Sequence, residues 1–191
     1  MSYLINAVQL LLGFAFDIVI AVLLLRLLAE AWRAEFRNPL SQFLYRYTNP
    51  LLAPVRRVLP NWRRINLAAL LLAYVAMLLK LLLGLLLAGA PHPVGGVLVL
   101  AAAELLDFAL LLYVVLIFAW ALASMLGGDP MHPLLRLLDA IVGPSLRPLR
   151  QRLPTLGGLD FSPVVAILVL MLARILVAQP LLDLGVRMTL A

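Results

Sequence analysis

The chain alternates between long apolar runs and shorter polar segments, and the length of the runs is its clearest signal. Four runs hold few charges, over residues 4–28, 67–88, 97–125 and 161–182. Each contains roughly 20 or more mostly apolar residues, the length that an α-helix needs to cross the hydrocarbon core of a bilayer. Since no run alternates between apolar and polar residues, helices are expected rather than a barrel. The pattern predicts an all-α membrane protein with four transmembrane helices.

The two long polar segments, 33–64 and 129–156, have a helical pattern of their own. Asn38-Pro39 and Asn49-Pro50 each have the form of an N-cap followed by a first-turn proline, which predicts two short helices in the first segment. The second segment repeats this scheme after Pro133 and Pro144. Apolar residues recur at helical spacing with arginines opposite them. Such amphipathic helices suit the interface between membrane and water.

The second half of the chain repeats the first at a constant offset of 94 positions. The recurring residues, here called the repeat skeleton, are Asn38, Pro39, Pro50, Pro54 and Pro60 in the first copy and Pro133, Pro144, Pro148 and Pro154 in the second. Lys80 and Arg174 share the same offset. The repetition predicts two tandem units, 1–90 and 97–191. Each unit is expected to be a hairpin of two spans with amphipathic helices in its loop, and the two hairpins are expected to be parallel.

The positive charge is concentrated in the two long loops. The net charge is +6, whereas the connection between the two units, over residues 89–96, carries no charged side chain. The positive-inside rule therefore predicts that both loops are cytoplasmic and both termini lie outside. Because the basic residues all flank spans, anionic phospholipid rather than nucleic acid is the expected partner.

Five loop arginines are the candidate residues for binding lipid or a protein partner: Arg46, Arg56, Arg57, Arg147 and Arg150. Two interpretations remain open. In the first, the arginines bind phosphate at a platform on the membrane surface. In the second, the loop helices pack against the bundle and the arginines only set the topology. Topology requires charge but not fixed spacing, so it leaves the repeat skeleton unexplained.

Ionisable residues inside the predicted spans form a second candidate site. A charge at the bilayer centre costs at least about 2.5–3.5 kcal/mol, so each needs a partner or contact with water. From their depth along the helices, counted at about 1.5 Å per residue, we expect two ion pairs, Asp17 with Lys80 and Asp107 with Arg174. Glu104 is expected nearer the outer surface. The pairs are either structural clips within each hairpin or part of an ion or proton path.

Motifs for catalysis and cofactor binding are absent from the sequence. It contains no P-loop, no G-x-G-x-x-G, no H-E-x-x-H and no G-x-S-x-G. It has no cysteine, and its two histidines, His92 and His132, lie outside the predicted spans. No enzymatic activity, no cofactor and no metal site are therefore expected.

The first repeat resembles the YggT family of small bacterial membrane proteins. The similarity rests on the run Arg26, Glu30, Trp32, Asn38, Pro39, Ser41, Gln42, Tyr47, Thr48, Asn49, Pro50, Pro54, Arg56, Arg57 and Pro60. A weaker copy follows His132, with His132 in place of Asn38 and Gln151 in place of Arg57. The resemblance covers nearly the whole chain and implies a multi-pass protein of the bacterial inner membrane.

The resemblance also implies several physiological roles. It implies no active-site residues. Branches of the family are linked to osmotic or extracytoplasmic stress and ion homeostasis, to cell-division or nucleoid organisation, and in plastids to cytochrome b haem assembly. Two functions are consistent with the sequence. One is a membrane organiser whose loop helices bind anionic lipid or a membrane or cell-division protein. The other is an oligomeric potassium or proton channel or transporter that uses the buried charges.

Overall fold

Helices are the regular secondary-structure elements of the residues that the structure describes. The structure is a computed structural model that describes residues 2–35, 37–89, 94–127, 129, 131–152 and 160–190. The helices are α1 (Ser2–Ala31), α2 (Pro39–Arg56), α3 (Leu67–Ala88), α4 (Val94–Met125), α5 (Pro133–Arg150), α6 (Ser162–Ala173) and α7 (Gln179–Leu190). A π-helical turn, Arg174–Ala178, joins α6 to α7 in one continuous rod.

Four helices are long and apolar enough to cross a membrane, as the sequence predicts. They are Tyr3–Ala31, Leu67–Ala88, Val94–Met125 and Ser162–Thr189. The second has the predicted bounds, whereas the other three extend beyond the apolar runs. At 1.5 Å per residue the 32 residues of α4 are about 48 Å long, more than the roughly 30 Å of a hydrocarbon core. These helices therefore extend beyond the apolar residues from which the spans are recognised.

Each long loop forms one continuous helix, so the prediction of two short helices per loop is wrong. Pro50 and Pro54 lie inside α2, and Pro144 and Pro148 lie inside α5. An internal proline removes a backbone hydrogen bond and normally breaks a helix. Here the buried face of α2 continues across Pro50, through Ser41, Leu44, Thr48 and Leu52. Packing of that face against the bundle offsets the local loss.

The two loop helices begin in the same way. Asn38 precedes α2, and its Oδ1 accepts a hydrogen bond from Leu40 N at 2.9 Å. His132 precedes α5, and its Nδ1 accepts a hydrogen bond from Leu134 N at 3.3 Å. A proline follows each cap at the first helical position, where its missing N–H has no partner to lose. The substitution of His132 for Asn38 thus preserves capping.

The spans pack in the order α1, α3, α4 and the α6–α7 rod. One apolar core joins α1, α3 and α4 around Ile20, Met77 and Ala101. A second core joins α4, α5 and α6 around Ile117 and Val142. Since α1 and α4 touch only over a short stretch, the space between them is left open on both sides of that contact.

Glycines bring α4 and α7 into close contact. A Cβ on Gly185 would lie 2.8 Å from Leu100 Cα, and a Cβ on Gly96 would lie 2.5 Å from the carbonyl carbon of Met188. Lipid supplies no hydrophobic force between helices, so spans associate through such close van der Waals contact. The first repeat has neither glycine at the aligned positions, because Ser2 aligns with Gly96 and Pro91 aligns with Gly185.

Candidate functional site

The acid and the base within the first repeat's spans lie in direct contact. Lys80 Nζ on α3 donates to Asp17 Oδ1 on α1 at 2.6 Å. The lysine stem passes Gly13, one turn before Asp17, where a Cβ would lie 4.0 Å from Lys80 Cε, an ordinary van der Waals distance. Both side chains are partly exposed at the surface of the bundle. The pair therefore ties α1 to α3 at the border of a cavity.

The second repeat holds its acid and base by a different geometry. Arg174 Nε and Nη2 donate to Asp107 Oδ1 and Oδ2, each at 2.8 Å. This two-pronged contact fixes the planar guanidinium more rigidly than an ammonium can be fixed. Arg174 is also the first residue of the π-helical turn, a distortion that often marks functional positions. Lys80, at the aligned position, lies in regular α-helix.

Glu104 lies one turn before Asp107 and has a different role. In the part of the chain that the structure describes, it forms no ion pair. It lines a cavity of about 330 Å³ together with Gln9, Gly13, Lys80 and Gly84. Gln9 Nε2 donates to Gly84 O across this cavity at 3.3 Å. Asp17 and Asp107 are therefore paired with a base, whereas Glu104 lies without an ion pair, among the described residues, beside this cavity.

Arg56 is half-buried and contacts the bundle. Its Nη2 lies 2.6 Å from Glu30 Oε1, near the end of α1. The same oxygen forms an ion pair with Arg26, whose Nη2 lies 2.6 Å away. Arg26 is only 1% exposed, and its guanidinium also donates to Asn49 Oδ1 at 3.3 Å. The site predicted to bind phosphate is therefore occupied, at Arg56, by a carboxylate of this chain.

Arg26 also lies against an aromatic ring of the loop helix. Its Cζ is 3.2 Å from the centroid of the Tyr45 ring. Burial raises the pKa of Tyr45, although the nearby Arg26 guanidinium opposes that shift. The sequence signal for this cluster is the i, i+4 spacing of Arg26 and Glu30 at the end of a span. The cluster could not be predicted from this spacing alone, because Tyr45, Asn49 and Arg56 are distant from Arg26 along the chain.

The corresponding arginine of the second repeat, Arg150, makes analogous contacts. Its Cζ lies 4.6 Å from the centroid of the Trp120 ring, and its Nε donates to Asp160 Oδ2 at 2.8 Å. Burial raises the pKa of Asp160, but hydrogen bonds from Ser162 and Arg150 outweigh it and hold the pKa below its usual value. Arg150 thus connects the end of α5 to α4 and to the start of α6.

The remaining candidate arginines are free to meet an external ligand. Arg46, Arg57 and Arg147 are exposed and, among the described residues, form no ion pair. Arg46 and Arg57 lie on α2 and at its C-cap, and Arg147 lies on α5. The five candidate arginines therefore divide into two that form ion pairs, Arg56 and Arg150, and three that form none among the described residues.

Contacts at the helix caps join the two repeats. Asn38 Nδ2 donates to Pro133 O at 2.6 Å, from the N-cap of α2 to the first residue of α5. Arg136 on α5 forms an ion pair with Glu35, just before α2. Pro60 lies beyond the end of α2, and Pro154 lies outside the described residues. The skeleton thus places the two loop helices side by side at one end of the bundle.

A metal site is not evident among the residues that the structure describes. No group of three or more His, Cys, Asp or Glu side chains lies close enough to hold a metal ion there. His132 accepts the capping hydrogen bond of α5. His92 lies outside the described residues.

Comparison with known proteins gives a single consistent family. The family model described as CCB3/YggT matches twice, over residues 5–87 and 99–181. An uncharacterized protein from Vibrio alginolyticus, encoded beside proC, is 34% identical over 178 residues, covering 91% of this chain and 95% of the relative. The Escherichia coli K12 protein YggT, also uncharacterized, is 33% identical over 178 residues, covering 92% of each chain.

A third relative is similar over most of its length. An uncharacterized protein of Pseudomonas aeruginosa is 38% identical over 169 residues, covering 86% of this chain and 85% of its own. No solved structure matches. The two successive matches to one family model support the tandem repeat, and the four apolar helices make this a multi-pass membrane protein. The chain belongs to the YggT family and carries two copies of the family unit.

Proposed function

We propose that this protein is a non-enzymatic organiser of the bacterial inner membrane. Its loop helices α2 and α5 lie in the cytoplasmic membrane interface and bind anionic phospholipid. The platform formed by the two helices serves in the envelope or osmotic stress response or in cell-division organisation, the settings implied by the family resemblance. A membrane or cell-division protein that docks on the platform is part of the same proposal.

The surface of α2 is the observation that supports this proposal. One side of the helix is buried against the bundle. Beside it runs an exposed apolar stripe, formed by Leu40, Phe43, Tyr47 and Leu51, in which Phe43 is 61% and Tyr47 63% exposed. Arg46 and Arg57 lie on the third side, at helical spacing from each other. A helix with bundle, lipid and water on three sides needs these three surfaces.

The corresponding surface of α5 is mostly covered by the protein itself. Ile141 and Ser145 align with Tyr47 and Leu51 of the exposed stripe. Tyr113 Oη on α4 donates to Ile141 O at 3.0 Å and contacts Ser145 Oγ at 2.6 Å. The two loop helices therefore contribute unequally, and α2 supplies most of the membrane-binding surface while α5 contributes Arg147.

The charge of the first loop supports an anionic ligand. Residues 39–66 contain five arginines and no acidic residue. Anionic lipid attracts such segments with about 1 kcal/mol per basic residue close to the surface. Since positive charge also marks cytoplasmic loops, the same residues support the inward orientation of α2 and α5.

The depth of α2 in a membrane tests the proposal. The chain has no cysteine, so single-cysteine variants can be labelled with a nitroxide without background. We expect the label at Phe43→Cys to be accessible to oxygen and shielded from a water-soluble nickel chelate in vesicles containing phosphatidylglycerol. The control label at Ala53→Cys, on the arginine side of α2, should show the reverse. Equal accessibility of both labels to the nickel chelate would refute an interfacial α2.

The lipid preference is tested on the same label. The Arg46→Gln, Arg57→Gln double variant should abolish the deepening of the Phe43→Cys label when phosphatidylglycerol replaces part of the phosphatidylcholine. A variant with Arg187→Gln, which removes charge at the end of α7, should keep it. If the double variant responds to phosphatidylglycerol like the parent, the arginines do not bind anionic lipid.

Ion conduction is the second candidate function, and Glu104 is the observation that favours it. An unpaired carboxylate in a span, beside Lys80 and a cavity of about 330 Å³, is a candidate carrier for a proton or a cation. Conduction would proceed in an oligomer. Flux of potassium, sodium and protons into liposomes should then be lost in Lys80→Met and in Glu104→Gln, with assembly unchanged. Absence of flux in the parent protein eliminates this candidate.

A further inference from the structure

We infer that the groove between α1, α3 and α4 binds one acyl chain of an anionic phospholipid whose phosphate is held by arginines at the start of α3. The inference rests on the proposed function and deepens it, because it places a specific lipid at a defined site. Three observations support it: the groove is apolar, a basic turn lies between two residues that line it, and the two repeats differ in this turn.

The groove has a volume of about 570 Å³. The groove is lined by Leu27 of α1, Leu67 and Tyr74 of α3 and Leu105 of α4, and Leu59 of the first loop also lines it. Among the described residues that line it, Tyr74 alone has a polar side-chain group, and its Oη donates to Leu98 O at 3.0 Å. An occupant therefore meets no unsatisfied polar group, as suits a hydrocarbon chain.

The position of the groove gives it access to lipid. It lies between helices that each have the length and composition of a span. Leu70 and Leu71, both on its wall, are 39% and 40% exposed, so the groove opens at the surface of the bundle. An acyl chain in the surrounding bilayer can enter it sideways, without leaving the hydrocarbon layer.

A tight basic turn lies along the chain between Leu59 and Leu67, two residues that line the groove. Trp62 and Ile65 pair through two backbone hydrogen bonds, of 3.1 and 2.9 Å, with Arg63 and Arg64 at the tip. Arg63 has a φ of 53°, a left-handed conformation that residues with a Cβ rarely adopt. Both arginines are exposed, and α3 begins just after them at Leu67. The turn thus presents two guanidinium groups beside the positive end of a helix dipole.

Charge complementarity selects an anionic headgroup. Arg57, Arg63 and Arg64 form no ion pair among the described residues. The nearest acid that follows them along the chain is Glu104, and none precedes them after Glu35. Guanidinium binds phosphate through paired, charge-assisted hydrogen bonds. Free phosphate would satisfy these arginines but leave the apolar groove empty, whereas a phospholipid fills both.

The second repeat lacks the headgroup residues. Gly157 and Gly158 occupy the positions that align with Arg63 and Arg64. The inference therefore assigns one lipid per chain rather than two. This asymmetry also supplies controls, because equivalent changes can be made in a repeat that has no such site.

Lipid retention by the full chain tests the inference. Protein extracted from bacterial membranes in a mild detergent would be examined by native mass spectrometry for bound phospholipid. We expect one phospholipid per chain, with phosphatidylglycerol or cardiolipin preferred over phosphatidylethanolamine. Arg63→Gln with Arg64→Gln should weaken retention about tenfold, which corresponds to about 1.4 kcal/mol. Ala102→Phe, which fills the groove, should abolish it.

Matched controls separate a specific site from general lipid contact. Arg152→Gln with Arg187→Gln removes two exposed arginines of the second repeat, and Val169→Phe fills a different cavity between α4, α5 and α6. Both should retain the lipid. If the controls lose lipid as the test variants do, retention is not specific and the inference fails. Should Ala102→Phe misfold, the arginine pair and its control still decide the headgroup site.

Two further outcomes would also overturn the inference. If Ala102→Phe dissociates a dimer while lipid retention is unchanged, a second copy of the chain occupies the groove. If retention is unchanged in both test variants, no lipid binds there. The depth of the Phe43→Cys label in the same variants distinguishes the two proposals. A normal depth without specific retention contradicts only the groove, whereas a label in water with specific retention contradicts the interfacial platform.

Discussion

Arg150 lies over the ring of Trp120. The aligned residues of the first repeat, Arg56 and Arg26, also lie side by side. Trp120 aligns with Arg26 and Arg150 with Arg56 at the offset of 94 residues. The Arg150 Cζ is 4.6 Å from the Trp120 centroid, whereas Arg56 and Arg26 share the Glu30 carboxylate. Both repeats thus fasten the end of the loop helix to the preceding span, one through an aromatic ring and the other through an ion pair. This explains the fixed spacing of these two arginines.

Removing the charge of Glu30 should strongly destabilise the protein. The Glu30→Gln variant leaves the buried Arg26 guanidinium without its carboxylate, and breaking a buried pair from one side costs about 3–5 kcal/mol. The free energy of unfolding, measured in mixed micelles, should fall by that order. Glu35→Gln is the control, because the Glu35–Arg136 pair is largely exposed and worth at most about 1 kcal/mol. Equal losses in both variants would contradict a buried anchor.

Asp160 should make the stability of the second repeat depend on pH. Its folded-state pKa lies below the ordinary value, so its carboxylate stabilises the fold above the unfolded pKa of about 3.9 and this contribution is lost as pH falls through the folded pKa. Asp160→Asn should therefore be less stable than the parent at pH 7, and the difference should shrink below pH 4. Unfolding midpoints at pH 7, 5 and 3 measure this. A difference that does not vary with pH would rule out the carboxylate as its cause.

The pair formed by Asp17 and Lys80 should show energetic coupling. Lys80→Met leaves the Asp17 carboxylate unpaired, so this variant should be less stable than Asp17→Asn with Lys80→Met, which removes both charges. For residues in contact a coupling energy of about 0.5–3 kcal/mol is expected. A double-mutant cycle of unfolding free energies measures it. Additive effects of the two changes would show that the contact does not act as a clip.

The contact between α4 and α7 should not tolerate a side chain at Gly185. In Gly185→Ala the new Cβ would lie 2.8 Å from Leu100 Cα, so the helices must separate. Overpacking of this kind costs about 1–3 kcal/mol. Gly95→Ala is the matched control, since a Cβ at Gly95 meets nothing within 4 Å and alanine favours a helix. Thermal unfolding in detergent should distinguish the two, and a stable Gly185→Ala would disprove the close contact.

Local sequence alone was sufficient to predict the spans. A span is recognised by length and hydrophobicity, which are properties of a continuous run of residues, and the four predicted helices are present. The tandem repeat was likewise visible, because a constant offset needs no structural information. Both features depend on residues that are adjacent or regularly spaced along the chain.

That the first loop contains one helix rather than two could be determined only from the tertiary structure. Local rules interpret Asn49-Pro50 as the start of a new helix, and they are correct about the backbone cost of an internal proline. Local rules take no account of tertiary packing. In the structure a buried stripe through Leu44 and Leu52 packs against α1 and α3 and extends across Pro50. Asn49 instead accepts a hydrogen bond from Arg26, a residue of another helix.

The sequence by itself determined four helical spans, two repeats, a basic loop in each and the family to which the chain belongs. The tertiary structure decided which arginines remain available for a ligand. Arg46, Arg57 and Arg56 look alike in the sequence, yet Arg56 is paired with Glu30 while the other two are exposed. The physical reason is that the state of a charged side chain depends on which helices pack beside it, and residues 26 positions apart along the chain become neighbours only when α2 folds back on α1.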